Sequence, residues 1–427
     1  MIRISLFLII TMTVILMNFK KPKYGLFFLL GLMLLRDGYL FEHVPQIYFS
    51  WHMPLIFGWL TLLSWIIHTL VKSEKVYLPF GFLALLFLSA IIFLSKRNAF
   101  EPAATQHMFM EYVKNLILFF LIINIVKTKE DLKHINLLLI GIMTFLVLFA
   151  YHRYKTTWYE IAIPHYQYVD RNFFAQSIVA VLPLAVIFFE EKVNIVVKLF
   201  FAAVIAAFCG GVVLTYSRGG LLALLLALFF IFLQSKKKAR LITIGLIILV
   251  AFLPRIGQKY RNRMHSISDY EEDPSAMTRI ATWKAGINMA MEHPVVGVGA
   301  GNFGNYYYIY APDELKQYAD FEMNIHNVFL QLLSETGFTG LGLFLLVIWN
   351  CFIANAYVRH RNFRLPADKK IDLTKSNLLR ASLISLCGSG FFLPGAYYGY
   401  FYIIIALNLV GNKMIIEEIN IIEGKTE

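Results

Sequence analysis

The chain is a succession of long apolar stretches separated by short polar segments. Each stretch is close to the roughly 20 residues that an α-helix needs to cross a bilayer. The stretches lie near residues 2–19, 24–41, 53–71, 76–94, 108–126, 135–152, 173–190, 193–215, 219–234, 239–254, 338–357, 377–393 and 397–411. This pattern predicts an all-α, polytopic membrane protein with roughly 12–13 transmembrane helices.

The apolar pattern is interrupted for longest between the stretches that end at 254 and begin at 338. We therefore predict transmembrane helices in 1–254, a long loop in 255–337 and further transmembrane helices in 338–427. Proline and small polar residues at the start of a segment and glycine at its end are typical of short helices. The loop should therefore contain short helices, with starts at 274 and 312 and a last helix over 326–336 closed by Gly337.

The loop helix that begins at Pro274 should have two different faces. Its apolar face, at helical spacing, consists of Ile280, Trp283, Ile287 and Met291. Arg279, Thr282 and Gly286 lie on another face. Such a helix can rest on a membrane surface and turn its arginine toward a head group or a cavity.

Composition supports the membrane assignment, and the distribution of charge predicts the topology. Of the 427 residues, 58% are hydrophobic and 15% are charged, against about 45–50% and about 25% in soluble proteins. The net charge of +12 comes largely from clusters in alternate polar segments, near 20–23, 72–75, 127–133, 236–240 and 359–364. Such clusters mark cytoplasmic loops. We therefore predict no nucleic-acid partner, and an outward-facing loop at 255–337.

Arg218 stands at the start of an apolar stretch and is followed by Gly219 and Gly220. Free backbone N–H groups at a helix start, together with a guanidinium group, suit the binding of phosphate. The alternative is an arginine that reaches the membrane interface from a tight turn, and spacing does not decide between them. Arg279, expected on the same side, would complete a diphosphate site with Arg218, although by itself it is a surface charge.

His326 opens the last predicted loop helix. A helix start disfavours the protonated ring, so a neutral imidazole is expected there, suited to act as a general base on a sugar hydroxyl. The alternative is a structural histidine bonded to the backbone. Glu335 lies about half a turn out of phase with His326, so we predict a polar anchor there. Asp170 is predicted to be a helix cap.

A metal site is not predicted, and neither is a cofactor. The candidates for such a site are Asp37, Glu42 and His43 in the first outward segment, but the sequence has no Asp-x-Asp motif. Arg171 and Asn172 precede another apolar stretch and are candidates for substrate binding. Their alternative role is interfacial or structural.

Four motifs, in order, resemble the O-antigen ligase and polymerase family. They are Ser-Arg-Gly-Gly before a span, Thr-Arg-x-x-x-Trp, Pro-Val-Val-Gly-Val-Gly-x-Gly-Asn-Phe, and His-Asn-x-x-Leu-x-x-x-x-Glu-x-Gly-x-x-Gly. The resemblance covers 215–345. It implies a metal-independent membrane glycosyltransferase of the GT-C type, and direct attack of the acceptor at the anomeric carbon predicts inversion.

The resemblance also implies substrates, location and residue roles. The donor would be a glycan on undecaprenyl diphosphate, and the acceptor a glycan, a lipid-A core or a protein, at the outer face of the bacterial cytoplasmic membrane. Arg218 and Arg279 would hold the diphosphate and His326 would activate the acceptor. The residues expected to contact substrate are Arg171, Asn172, Gly219, Gly299 and Asn327.

Two other classes of function remain open at this point. A transporter or flippase for lipid-linked sugars would place polar residues at mid-membrane depth, and Lys198 and Arg380 within apolar stretches favour it. A structural scaffold leaves the outward arginine and histidine residues unexplained. Their gathering on one predicted side favours an enzyme.

Overall fold

The computed structural model describes residues 2–35, 52–157, 170–191, 193–234, 274–318, 324–393 and 395–425. The predictions for the span at 239–254, for 255–273, and for Asp37, Glu42 and His43 lie outside these residues.

The described residues form α-helices joined by turns and short 3-10 helices, which confirms the all-α prediction. The helices are α1 Ile2–Lys20, α2 Pro22–Leu34, α3 His52–Lys72, α4 Phe80–Ser95, α5 Pro102–Ile125, α6 Lys129–Thr157, α7 Arg171–Glu190, α8 Ile195–Leu214, α9 Arg218–Gln234, α10 Pro274–Glu292, α11 Phe303–Tyr310, α12 Val328–Arg364, α13 Thr374–Gly390 and α14 Gly399–Ile422. The 3-10 helices are Lys96–Asn98, Asp313–Tyr318 and Ala367–Lys369.

Within the described ranges, eight helices are long and apolar enough to cross a membrane. They are α3 to α8, α12 and α14, and shorter apolar helices occur within α1, α2 and α9. Helix α13 occupies the predicted stretch at 377–393, but its apolar content is diluted by Arg380 and by buried serines such as Ser382 and Ser385. The helices thus coincide closely with the predicted apolar stretches, although fewer of them meet the full length of a span.

The polar segments separate onto two opposite ends of the bundle. Ion pairs join the basic segments at one end, which we call the basic face. These pairs are Lys23–Asp131 at 3.2 Å, Lys129–Glu418 at 2.6 Å, Lys375–Glu191 at 2.6 Å, Arg361–Glu423 at 2.7 Å and Lys127–Glu74. The predicted clustering of the basic segments on one side is thereby confirmed for the described residues.

The other end, the loop face, consists of residues 95–101, 170–172, 215–218, 297–302, 391–393 and 395–398. Asn98 Nδ2 donates to the Gly297 carbonyl at 2.9 Å, and the backbone N–H of Glu101 donates to Asn302 Oδ1 at 2.6 Å. These bonds fix the loop that follows α4 against the glycine-rich segment that follows α10.

Helix α7 occupies the centre of the bundle. All its residues from 174 to 190 are buried, and it packs against α8, α9 and α13. Because α7 begins at Arg171, its central position places the turn 170–172 in the middle of the loop face.

The segment after residue 273 has a small hydrophobic core of its own. It includes Ala281, Ala285, Met289, Phe303, Tyr307, Leu315 and Ile325. The predicted helices at 274 and 312 are present as α10 and as a 3-10 helix. The buried side of α10 uses small residues, whereas Ile287 and Met291 of the predicted apolar face are 45% and 67% exposed. Ile280 and Trp283 of the predicted face instead pack against this core, so only its C-terminal half remains available to a membrane surface.

Candidate active site

Four helix starts meet on the loop face. Ser217, before α9, donates a hydrogen bond to Asn172 Oδ1 in α7 at 2.5 Å. Gln331 in α12 accepts from the backbone N–H groups of Gly395 and Ala396, just before α14, at 3.2 Å each. A helix start carries partial positive charge and free N–H groups. Their convergence makes this region favourable for an anion.

The start of α7 holds the predicted residues Arg171 and Asn172. Asp170 caps the helix, because its carboxylate accepts from the Asn172 backbone N–H at 2.7 Å. The side-chain oxygen of Asn172 accepts from Ser217, so Asn172 links two helix starts. Arg171 is half-buried beside them. The capping role predicted for Asp170 is confirmed.

Arg218 is the first residue of α9, after a sharp turn in which Tyr216 has a φ of +52°. The Ser217 side chain accepts from the Gly220 backbone N–H at 2.9 Å. A Cβ atom at Gly219 would lie 3.1 Å from Phe392 Cβ. The glycines thus permit close packing, and the start of α9 is less open than the sequence predicts, since Ser217 already satisfies one N–H group.

His326 lies two residues before the first residue of α12, in a left-handed conformation with a φ of +47°. The helix therefore starts later than predicted. Asn327 is the cap: its side-chain oxygen accepts from Phe329 and Leu330 at 2.9 and 3.0 Å. The Asn327 side-chain oxygen is therefore used for hydrogen bonds to the helix backbone. His326 lies just outside the helix.

Helix α10 fixes the backbone at His326. The indole Nε1–H of Trp283 donates to the Ile325 carbonyl at 3.0 Å. Gly286 provides the space for Ile325, because a Cβ atom there would clash with the Ile325 side chain. The Thr-Arg-x-x-x-Trp motif thus has a structural explanation, since Trp283 anchors the residue next to the histidine. Arg279 lies one turn earlier on the same helix.

The groups that shift the pKa of His326 show which charged residues lie near it. Burial lowers the pKa of the imidazole below its ordinary value, the nearby charge of Arg279 lowers it as well, and the Asp170 carboxylate opposes both by raising it. Asp170 and Arg279 therefore lie within electrostatic reach of the ring. The lowered pKa agrees with the expectation of a neutral ring, although burial affects the pKa more than any neighbouring charge does.

The Nδ1 atom of His326 is buried and has no hydrogen-bond partner among the described residues. Nδ1 therefore makes no backbone hydrogen bond of the kind that would mark a purely structural histidine. A neutral imidazole has one nitrogen that accepts a proton, so the chemistry of a general base is available here.

The glycine-rich motif stabilises a break in α12. At Gly337 the backbone has a φ of +70° and a ψ of −175°, which interrupts the helix. The freed carbonyls of Ser334 and Glu335 accept from the N–H groups of Val298 and Gly299 at 2.9 and 3.1 Å. Gly337 closes this segment as predicted.

Gly299 is part of this backbone clamp. Its φ is +103°, and a Cβ atom there would lie 2.8 Å from Ala99 Cβ and 3.1 Å from Thr105 Oγ1. Its N–H group is engaged by the Glu335 carbonyl. The geometry therefore gives Gly299 a packing role, and its backbone N–H group is used within the protein.

Glu335 is a buried anchor, as predicted. Its carboxylate accepts from the Tyr397 hydroxyl at 2.8 Å, and the Tyr397 carbonyl accepts from Asn115 Nδ2 at 2.6 Å. Sequence reasoning missed Tyr397 and Gln331, both of which hold the turn at 395–398, because their partners are distant in the chain. Their polar character in apolar surroundings was the available signal.

No group of metal-ligating side chains occurs among the described residues. The carboxylates and the histidine considered for a metal in the first outward segment lie outside that part of the chain.

Comparison with known proteins adds independent evidence to this geometry. Residues 201–345 match the family model described as O-antigen ligase. The resemblance to the O-antigen ligase family is confirmed. A Rickettsia typhi protein that carries the name of a candidate polysaccharide ligase is 25% identical over 318 residues, which cover 69% of this chain and 71% of the relative.

The matched segment contains α9, α10, α11 and the start of α12, together with Arg218, Arg279 and His326. These findings support a function of the O-antigen ligase or polymerase type, in a multi-pass membrane protein. They agree with the resemblance seen in the four sequence motifs.

Proposed function

We propose that this protein transfers a glycan from an undecaprenyl-diphosphate carrier to an acceptor hydroxyl, as an O-antigen ligase does. The observation that carries the proposal is the meeting of His326 with Asp170 and Arg279, beside the starts of α7 and α9. A neutral base next to arginines and the positive ends of two helices suits a reaction whose leaving group is an anion.

Arg218 and Arg279 would stabilise the diphosphate as negative charge accumulates on it. Fixed positive groups help most where charge develops in the transition state. A guanidinium group also offers paired donors to phosphate oxygens. Ser217, next to Arg218, is bonded to Asn172, whose backbone N–H donates to Asp170. Asp170 and Arg279 both lie within electrostatic reach of His326.

His326 would take the proton of the acceptor hydroxyl. The acceptor oxygen forms a bond to the anomeric carbon while the bond from that carbon to the diphosphate oxygen breaks. The hydroxyl proton passes to His326, and the carrier leaves as the diphosphate. Direct displacement inverts the anomeric configuration, and neither a metal nor a cofactor is needed for this proton transfer.

The reaction would take place at the outer face of the bacterial cytoplasmic membrane. The lysine-rich and arginine-rich segments gather on the basic face, and cytoplasmic loops carry such residues. The candidate site lies at the opposite end of the bundle. The bilayer, the lipid-linked donor and a glycan, lipid-A core or protein acceptor are its partners in this account.

A transporter remains the rival class, and one of its two supporting residues has an ordinary position. Lys198 lies in the first turn of α8, where a long side chain reaches the membrane boundary. Arg380 lies near the middle of α13 and is the stronger argument for it. The confirmed family resemblance and the histidine with its charged neighbours favour the enzyme.

The experiment is reconstitution of the purified chain in liposomes with lipid-linked glycan, with and without a separate acceptor. A ligase forms a single-addition product only when the acceptor is present. A polymerase, the second candidate within the family, lengthens the lipid-linked glycan without it. Movement of intact lipid-linked glycan between leaflets, with no new glycosidic bond, would contradict both.

A further inference from the structure

Arg380 is a charged residue that the proposed glycosyl transfer does not use. It lies in the predicted membrane stretch at 377–393, less than two turns from the start of α13 on the basic face. Its side chain is half-buried, and its Nε atom is buried with no hydrogen-bond partner among the described residues. A charged side chain at membrane depth is unfavourable unless it is paired, and such residues most often mark a function. A group of negative charge is therefore expected beside Arg380.

The charged group that acts on Arg380 is a second arginine. Arg359, near the end of α12, is exposed and lies within electrostatic reach of Arg380. Arg361, two positions further on, forms an ion pair with Glu423. Neither Arg359 nor Arg380 forms an ion pair with another described residue. Because like charges repel each other, the two arginines together create a place where an anion is stabilised.

The packing of α12 against α13 directs the two side chains toward each other. The short connection at 365–373 makes the helices antiparallel neighbours, and Ser376 Oγ lies 3.3 Å from Asn355 Oδ1 across their contact. Side chains on an α-helix tilt toward its N-terminus. Arg359 therefore tilts into the membrane, whereas Arg380 tilts toward the basic face. The two guanidinium groups can thus contact one ligand at an intermediate depth.

The side of α13 that carries Arg380 is the side that packs least against the bundle. Asn377 and Ile384 share this side at helical spacing and are only half-buried. On the opposite side, Leu378 and Leu386 are completely buried. The arginines are therefore open toward the bilayer, where the phosphates of lipid head groups are the available anions.

We propose that Arg359 and Arg380 bind the head-group phosphate of an anionic phospholipid from the leaflet at the basic face. Guanidinium groups offer paired donors to phosphate oxygens. A head group with a net negative charge fits better than a zwitterion, because no carboxylate among the described residues acts on Arg380 to attract an ammonium group. Basic sites between transmembrane helices on the cytoplasmic side bind such head groups. The proposal does not depend on glycosyl transfer, and it gives Arg380 a role other than transport.

The test measures thermal unfolding of the full, delipidated chain in detergent after addition of defined lipids. Phosphatidylglycerol should raise the unfolding temperature more than phosphatidylcholine, whose phosphate is balanced by a choline cation. The water-soluble compound glycerophosphoglycerol should act more weakly than phosphatidylglycerol, because it has no acyl chains to hold the phosphate at membrane depth. Equal effects of the two lipids, or of phosphatidylglycerol and the soluble compound, would overturn the proposal.

Variants locate the site. Arg380→Gln and Arg359→Gln should each reduce the apparent affinity for phosphatidylglycerol about tenfold or more, which corresponds to roughly 1.4 kcal/mol. Arg380→Lys should bind with intermediate affinity, because lysine keeps the charge but lacks the planar fork. The matched control is Arg364→Gln, which removes the same charge from the same end of α12. Arg364 is five positions from Arg359, about 140° around the helix, so this variant should keep native affinity.

The loss of binding can be separated from a loss of folding. Without lipid, Arg380→Gln should unfold at the native temperature or above it, because an unpaired charge has been removed from the membrane stretch. Native affinity in both Arg380→Gln and Arg359→Gln would overturn the proposal, and so would an equal loss in Arg364→Gln. If Arg380→Gln does not fold, the comparison of Arg359→Gln with Arg364→Gln decides.

Discussion

At the scale of single residues, the state of His326 depends on groups that the sequence does not place beside it. Burial is the main cause that lowers the pKa of its imidazole, with Arg279 acting in the same direction and Asp170 against it. The ring therefore remains neutral, and able to accept a proton, to a lower pH than an ordinary histidine.

Asp170→Asn tests this coupling. Asparagine caps a helix about as well as aspartate, so α7 should persist while the charge that raises the His326 pKa is lost. The pKa should fall further, and the acid limb of the kcat/KM profile against pH should move to lower pH. Asp313→Asn, an exposed change, is the control and should leave the limb in place. An unchanged or alkaline-shifted limb in the Asp170 variant would contradict the coupling.

At the scale of elements, we predict that the break in α12 tolerates amino-acid substitution poorly. Gly337 has a φ of +70°, and a Cβ atom there would lie 2.5 Å from the Pro294 carbonyl oxygen. Gly337→Ala should destabilise the protein by at least about 1–3 kcal/mol from the backbone conformation alone. Gly342→Ala, on the same helix with nothing within 4 Å, should stabilise it by up to about 1 kcal/mol. Thermal unfolding of both variants in detergent gives the comparison, and equal stability of the two would be the contrary result.

Hydrophobic periodicity predicts the helices well because each apolar stretch must satisfy its backbone within one helix. The preferences of helix ends for proline, small polar residues and glycine identify the start of α10 and the glycine that breaks α12. The role of the glycines at 297–301 could not be predicted from the sequence, because a tight turn looks the same in sequence whether it binds phosphate or another backbone segment. Only the long-range bonds from Val298 and Gly299 to Ser334 and Glu335 distinguish the two. Asp170, Trp283 and Tyr397 act on partners far away in the chain, beyond the reach of local patterns.

At the scale of the whole molecule, the separation of charge predicts the orientation. The basic face should be cytoplasmic and the loop face outward. A cysteine at Asp313, whose side chain is 93% exposed, should react with an impermeant thiol reagent in intact cells after outer-membrane permeabilisation where such a membrane exists. A cysteine at Lys370 on the basic face is the control and should react only after lysis. Cys209 and Cys351 are buried and Cys387 is half-buried, so labelling of the unsubstituted chain gives the background. The reverse pattern of labelling would place the site on the wrong side for the proposed donor.

The central claim is that the diphosphate site and the general base are separate parts of one active site. His326→Gln keeps polarity and approximate size but cannot act as a base, whereas Arg218→Ala and Arg279→Ala remove phosphate contacts. The decisive measurement is donor binding and glycan transfer, determined separately on each purified variant in liposomes. His326→Gln should bind the donor like the native chain while transfer falls by about 10²–10⁴-fold, and the arginine variants should lose donor binding. Near-native transfer by His326→Gln would contradict the account.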